Sequence, residues 1–199
     1  MWAGQLWRSY APELDLAGIA AAAPASELAA LFDRDDSEVA GKILASMALV
    51  SWSRVFDDPL QSVLLDKAIP VADRIGKDCI NSLSGDIGVE FAEHPLEKRF
   101  LRADPTDTEP WKSLIDRNTP GHGRTGVPLF IAQGSEDKIV RHKITENFVA
   151  HLCGDGERVT FLEMPGVDHT LAARNSASSA VAWIEDRFRG VAPIDTCAR

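Results

Sequence analysis

Residues 127–137 read Val127-Pro128-Leu129-Phe130-Ile131-Ala132-Gln133-Gly134-Ser135-Glu136-Asp137, and residues 159–169 read Val159-Thr160-Phe161-Leu162-Glu163-Met164-Pro165-Gly166-Val167-Asp168-His169. Each begins as a short apolar run and breaks into a glycine-containing turn. A continuous apolar run bounded by turn residues is the pattern of a strand buried on both faces, as parallel strands are. Pro128 is tolerable only near the start of such a strand. Between the two runs a helix is predicted from about Arg141 to Leu152, closed by Gly154 as a natural C′ residue. A last helix is predicted from Asn175 or Ser176 to Phe188. Strand, helix, strand, helix at these lengths predicts βαβ units and a parallel sheet.

Working toward the N-terminus, Leu14-Asp15-Leu16-Ala17-Gly18-Ile19-Ala20-Ala21-Ala22-Ala23-Pro24 is small and apolar, interrupted by Gly18 and ended by Pro24. It reads as a third strand covered on both faces. Before it lies a short amphipathic piece, Trp2 to Tyr10; after it, Ser26 is a predicted N-cap for a brief helix through Phe32. Three strands leave sheet edges unpaired, so the chain reads as part of a larger sheet. The middle, roughly 36–118, reads helical. Val39, Ile43, Met47, Val50 and Val55 recur at helical spacing behind Asp36 and Ser37, and Asp58-Pro59 stops the pattern. Further helices are expected from Leu60 to Ile69, then past Pro70 to Gly76, around 95–102, and over 111–118 with Pro110 at the first turn. Residues 1–35 and 119–199 thus form a partial α/β core, with 36–118 as a helical insertion.

The 199 residues carry 21 Lys and Arg against 30 Asp and Glu, for a net charge of −9. An acidic chain without basic blocks cannot gather phosphates, which argues against nucleic acid as a partner. No apolar run reaches the ~20 residues of a membrane-spanning helix. No basic stretch followed by an apolar one opens the chain, so no signal peptide is visible, and Met1 as the true start would imply a cytoplasmic protein. Cys79, Cys153 and Cys197 are too few for a disulfide scaffold, and no C-x-x-C pair suggests zinc.

Asp137 follows the first quoted strand and His169 follows the second. Alone, Asp137 is a turn residue capping the next helix, and His169 is a surface histidine. Together they lie at the same edge of a parallel sheet, where open α/β sheets place their ligands. A carboxylate there can hold an imidazole, fixing its tautomer and stabilising its cation, which suits a general base for an alcohol nucleophile. The order acid then histidine matches enzymes whose serine sits earlier on a G-x-S-x-G turn between strand and helix. That turn is absent. Ser84, in Ser82-Leu83-Ser84-Gly85-Asp86, has no glycine two residues before it, and Cys79 lacks both glycines.

The passages Trp2-Ala3-Gly4-Gln5-Leu6, Tyr10 to Ala25, Asn118-Thr119-Pro120-Gly121, Val127 to Gly134 with Asp137, and Pro165-Gly166-Val167-Asp168-His169 resemble the secretory, lipase-A-like family of α/β-hydrolases. The resemblance covers the ends of the chain well and the middle only by position. It implies the C-terminal part of an α/β-hydrolase fold, about three parallel strands, with 36–118 as a helical cap over an acyl-binding site. It implies a carboxylic-ester hydrolase acting on lipid or small esters through a Ser-Asp-His triad, secreted, and without metal or organic cofactor. Asp137 matches the triad acid and His169 the triad base. The serine and the oxyanion donors lie upstream of Met1 in the family, so the chain is expected to be truncated and inactive alone. The family's secreted habit also makes a Cys153–Cys197 bridge fitting, which would pin the C-terminal tail and leave Cys79 without a partner.

Two other classes compete: a non-catalytic fragment or scaffold that pairs with a separate chain, and a serine peptidase with the same late Asp and His. The open sheet edge predicts self-association. Other residues carry weaker signals. His142 and His151 lie nine apart on one helix, a rotation of about 900° and hence opposite faces, which argues against a shared metal. His122 reads as a loop residue. The acidic run 33–38 reads as a solvated helix start without the spacing of a calcium loop. Trp52, Phe56, Leu60, Leu64 and Phe91 read as core packing before they read as an acyl channel.

Overall fold

The computed structural model describes residues 1–32, 39–77 and 99–197, the side chain of Val39 excepted. Cys79, Ser84, Phe91, the Asp36/Ser37 cap and the glycine-rich piece at 84–88 lie outside the described residues. The chain divides into two units, one formed by Met1–Glu27 with Thr119–Arg199, the other by Leu28–Asn118.

The first unit holds helix α1 (Trp2–Tyr10), strand β1 (Ile19–Ala22), strand β2 (Leu129–Gly134), helix α6 (His142–Gly154), strand β3 (Val159–Met164) and helix α7 (His169–Phe188). The strands form one parallel sheet in the order β1-β2-β3, with Ile19 opposite Leu129 and Leu129 opposite Val159. All six residues of β2 are buried, as its unbroken apolar run requires of a central strand. Alternation sends Leu129 and Ile131 to one face, against Phe148, Val149 and Leu152 of α6. Phe130 and Ala132 face the other way, against Ala172 and Trp183 of α7. The mixed α/β architecture with a parallel three-stranded sheet is therefore the one the two quoted runs predict.

The two sheet edges differ. Along β3, Thr196 donates its backbone N–H to Val159 O at 2.8 Å and its hydroxyl oxygen accepts from Phe161 N at 3.1 Å. The tail that brings Thr196 there is held by a Cys153–Cys197 disulfide, with Cα atoms 5.3 Å apart. Along β1, Ile19 and Ala23 donate toward β2, to Pro128 O and Ala132 O. The backbone groups of Ala20 and Ala22 therefore point outward, and among the described residues none pairs with them. Ala20 is accordingly exposed, and β1 is covered on both faces less fully than its composition predicts.

The second unit holds α2 (Leu28–Phe32), α3 (Val39–Phe56), a single 3₁₀ turn (Leu60–Ser62), α4 (Ile69–Ile75) and α5 (Trp111–Asn118). Leu49, Val50, Val63, Leu64, Phe100, Trp111 and Leu114 form its core, with Trp52 and Leu60 packed against them. The buried Trp111 indole donates to Ser62 Oγ at 2.6 Å, so its polar end is satisfied. The expected helix from Leu60 to Ile69 does not form. Pro70 cannot sit inside a helix but fits its first turn, so α4 begins at Ile69 instead. Leu101, expected in a helix, makes an isolated antiparallel bridge with Leu64. Val55 and Phe56 are exposed at the end of α3, and the Arg117 guanidinium lies 5.7 Å from the Phe56 ring centre. Ser26 caps nothing: its buried hydroxyl has no hydrogen-bond partner among the described residues.

Candidate active site

β2 ends at Gly134 and β3 at Met164, and the two loops that follow are laced together by backbone hydrogen bonds. Ser135 N donates to Met164 O and Glu136 N to Val167 O, each at 3.0 Å, while Gly166 N donates to Ser135 Oγ at 2.9 Å. This closeness requires glycine at 134, because a Cβ there would overlap the Val167 carbonyl. Gly166 has φ +73°, the left-handed conformation that favours glycine.

Asp137 stands in the first of these loops with its side chain fully buried. Its Oδ1 accepts from the backbone N–H groups of Ile139 at 2.9 Å and Val140 at 2.8 Å. Its Oδ2 accepts from Gln133 Nε2 at 2.9 Å and lies 2.8 Å from His169 Nδ1. Every neighbour of the carboxylate can donate, which is the environment of an acceptor-only, ionised side chain. Such a carboxylate places the ring proton on Nδ1 and leaves Nε2 of a neutral imidazole as an acceptor.

His169 is the first residue of α7, not a loop residue before a helix starting at Asn175. Asp168 is the actual N-cap: its Oδ1 accepts from Leu171 N at 3.0 Å and from the Thr170 hydroxyl at 2.8 Å. The Thr170 hydroxyl, then the Leu171 N–H, hold the Asp168 carboxyl below the usual aspartate range. The Ser-rich stretch 176–179 imitates a cap in sequence, yet Ser176 Oγ donates back to Ala172 O at 2.8 Å from within the helix. The cap fixes the helix start, so the His169 ring, with 30% side-chain exposure, faces a rigidly held Asp137.

One partner of Asp137, and the residue behind that partner, escaped the sequence reading. Gln133 is fully buried at the penultimate position of β2, and besides Asp137 it donates to Val140 O at 2.8 Å. Its Oε1 accepts from Thr145 Oγ1 of α6 at 2.7 Å. A polar residue inside a six-residue buried strand was the available signal, since burial of an amide demands partners.

His142 and His151 do not come together, in keeping with their opposite faces. His142 Nε2 lies 2.9 Å from Glu163 Oε1 and its Nδ1 3.6 Å from Glu146 Oε1, whereas His151 lies 3.4 Å from Asp155. His142, Glu146 and Glu163 stand close enough to offer one nitrogen and two oxygens to a cation, although Lys143 Nζ already lies 3.1 Å from Glu146. His122 is an exposed loop residue.

A parallel sheet with helices and an acidic residue and histidine joined beyond its strand ends defines an α/β-hydrolase-like protein. The secretory lipase family model matches residues 1–196, and the chain belongs to that family. It is 25% identical to Lipase 2 of Candida albicans over 99% of its own length and 44% of that protein's. It is 23% identical to the secreted triacylglycerol lipase LIP4 of Malassezia globosa, over 95% of this chain and 43% of that one. In fold it resembles Candida antarctica lipase A in its closed state, with a TM-score of 0.70 at 17% identity, across 98% of this chain and 47% of the other. The chain thus spans less than half the length of these relatives. Among the described residues, no helix is long and apolar enough to cross a membrane.

Proposed function

We propose that this chain is the C-terminal portion of a secreted carboxylic-ester hydrolase of lipase type, with Asp137 as the acid and His169 as the base of its triad. The observation that carries this is the 2.8 Å contact between His169 Nδ1 and a buried, fully hydrogen-bonded Asp137, on adjacent strand ends of a secretory-lipase chain. The serine and the oxyanion donors would come from polypeptide outside residues 1–199, in line with the share of the relatives that the chain covers. The helical insertion at 36–118 would be the cap, and the substrate a lipid or small ester.

In the complete site the serine hydroxyl attacks the ester carbonyl while His169 Nε2 takes its proton, and Asp137 balances the imidazolium. The protonated histidine then gives that proton to the leaving alcohol, producing an acyl-serine. Water attacks the acyl group, again deprotonated by His169, and the acid leaves with the serine restored. No step draws on a metal or organic cofactor.

The outer edge of β1, unpaired among the described residues, favours one second reading, a non-catalytic fragment or scaffold that pairs with a separate chain through that edge. One assay separates the two: hydrolysis of a chromogenic short-chain ester by the purified chain, alone and with the polypeptide encoded immediately before the Met1 codon. Turnover that requires the upstream polypeptide and vanishes in His169→Ala supports the lipase. Silence under both conditions supports the non-catalytic fragment.

A further inference from the structure

We propose that Gln133 and Thr145 are positioning residues that lock Asp137 onto His169, with Thr145 anchoring the buried Gln133 amide through its oxygen. The inference rests on the hydrolase reading for its purpose but not for its geometry. The Gln133 NH₂ faces acceptors only: Asp137 Oδ2 at 2.9 Å, Val140 O at 2.8 Å and, longer, Gly134 O at 3.3 Å. Its oxygen meets a donor, the Thr145 hydroxyl at 2.7 Å. Turned by 180°, the amide would set its oxygen against the Asp137 carboxylate and the Val140 carbonyl, and its NH₂ against the hydroxyl. Acceptor would face acceptor in a buried place, a costly arrangement.

The Asp137 carboxylate and the Val140 carbonyl therefore select the amide orientation that donates to them, and the Thr145 hydroxyl holds that amide in place by satisfying its buried oxygen. Gln133 and Thr145 are both fully buried, so the selection does not compete with solvent. Asp137 in turn has both oxygens occupied. The two backbone donors hold Oδ1, and Oδ2 is shared between Gln133 Nε2 and His169 Nδ1. The chain of contacts runs Thr145, Gln133, Asp137, His169, from α6 through the end of β2 to the start of α7. None of the first three exposes its polar group, and only the imidazole at the end is part-exposed.

The test is the state of the His169 ring in the intact 199-residue chain, read from proton–nitrogen NMR of the imidazole. Thr145→Val, which has the shape of threonine without the hydroxyl, is expected to lower the ratio of the Nδ1–H to the Nε2–H tautomer about tenfold, the scale of one buried hydrogen bond to a charged group. Thr145→Ser, which keeps the hydroxyl, is expected to retain the wild-type ratio. If Thr145→Val does not fold, Thr145→Ala lacks the hydroxyl without added bulk and carries the same expectation. A folded Thr145→Val or Thr145→Ala with the wild-type tautomer ratio overturns the proposal, as does Thr145→Ser behaving like Thr145→Val. Because the readout needs no turnover, absence of ester hydrolysis in the wild-type assembly counts against the lipase reading alone. Where hydrolysis is present, Thr145→Val is expected to lower kcat by about tenfold with KM unchanged, and a change confined to KM contradicts a positioning role.

Discussion

Gly134 sits against the carbonyl oxygen of Val167 with no room between them for a β-carbon. That single approach brings the loop after β2 onto the loop after β3, and so Asp137 onto His169. Both partners are backbone and neither can swing aside as a side chain would. Gly134→Ala is expected to force the loops apart, at a cost of roughly 1–3 kcal/mol, the usual range for overpacking. Urea unfolding measures the stability, and loss of the His169 Nδ1–H resonance reports the separation. An alanine variant with wild-type stability and an intact resonance contradicts this account of the turn.

The bridge between Cys153 and Cys197 closes a loop of 44 residues and anchors the strand-like tail on the outer edge of β3. Chain entropy for a loop of that length corresponds to about 4 kcal/mol, before any compensating effect. Cys153→Ser with Cys197→Ser is expected to lower the unfolding midpoint and to make the segment after Gly190 the first site of proteolysis. A doubly substituted chain with unchanged midpoint and a protected tail contradicts that anchoring role.

Stability is expected to fall on the acid side through Asp168. Its carboxyl is held below the ordinary aspartate range by the Thr170 hydroxyl and the Leu171 N–H. The folded state therefore binds this proton less readily than the unfolded chain. The stabilisation is fully present above the ordinary aspartate value and is lost as pH falls through the lowered one. Asp168→Asn keeps a capping oxygen and removes the titration, so it should leave neutral-pH stability nearly unchanged while flattening the loss as pH falls below the ordinary aspartate range. Thermal unfolding across that range checks it, and an unchanged acid slope in the variant contradicts it.

Among the described residues nothing pairs with the outer side of β1, where Ala20 and Ala22 offer neither the charge nor the proline that natural edge strands use to discourage pairing. Concentration-dependent association of the wild-type chain is expected in sedimentation, and Ala20→Lys is expected to reduce it. Identical behaviour of the two proteins contradicts edge pairing.

What the sequence made legible follows from how locally each feature is encoded. β2 and β3 announced themselves because six residues of apolar chain next to a glycine turn admit few other structures. Asp137 and His169 could be paired because parallel strands bring their loop ends to one side whatever the intervening helix does. The start of α7 was hidden because Ser176 and its neighbours mimic a cap, and only the position of the Asp168 carboxylate against Leu171 N distinguishes the two. The Leu60–Ile69 helix failed because apolar spacing says nothing of where a proline can be accommodated. Thr145 was invisible for another reason: its importance depends on facing Gln133, twelve residues away on a different element, and no local pattern encodes that encounter.

The most direct measurement is ester turnover by the chain completed with its upstream polypeptide, compared with the same assembly carrying His169→Ala or Asp137→Asn. The account predicts turnover in the wild type, lowered roughly 100- to 10,000-fold by His169→Ala, the range for loss of a general base, and strongly reduced by Asp137→Asn. Full turnover in His169→Ala, or none in the completed wild type, contradicts it.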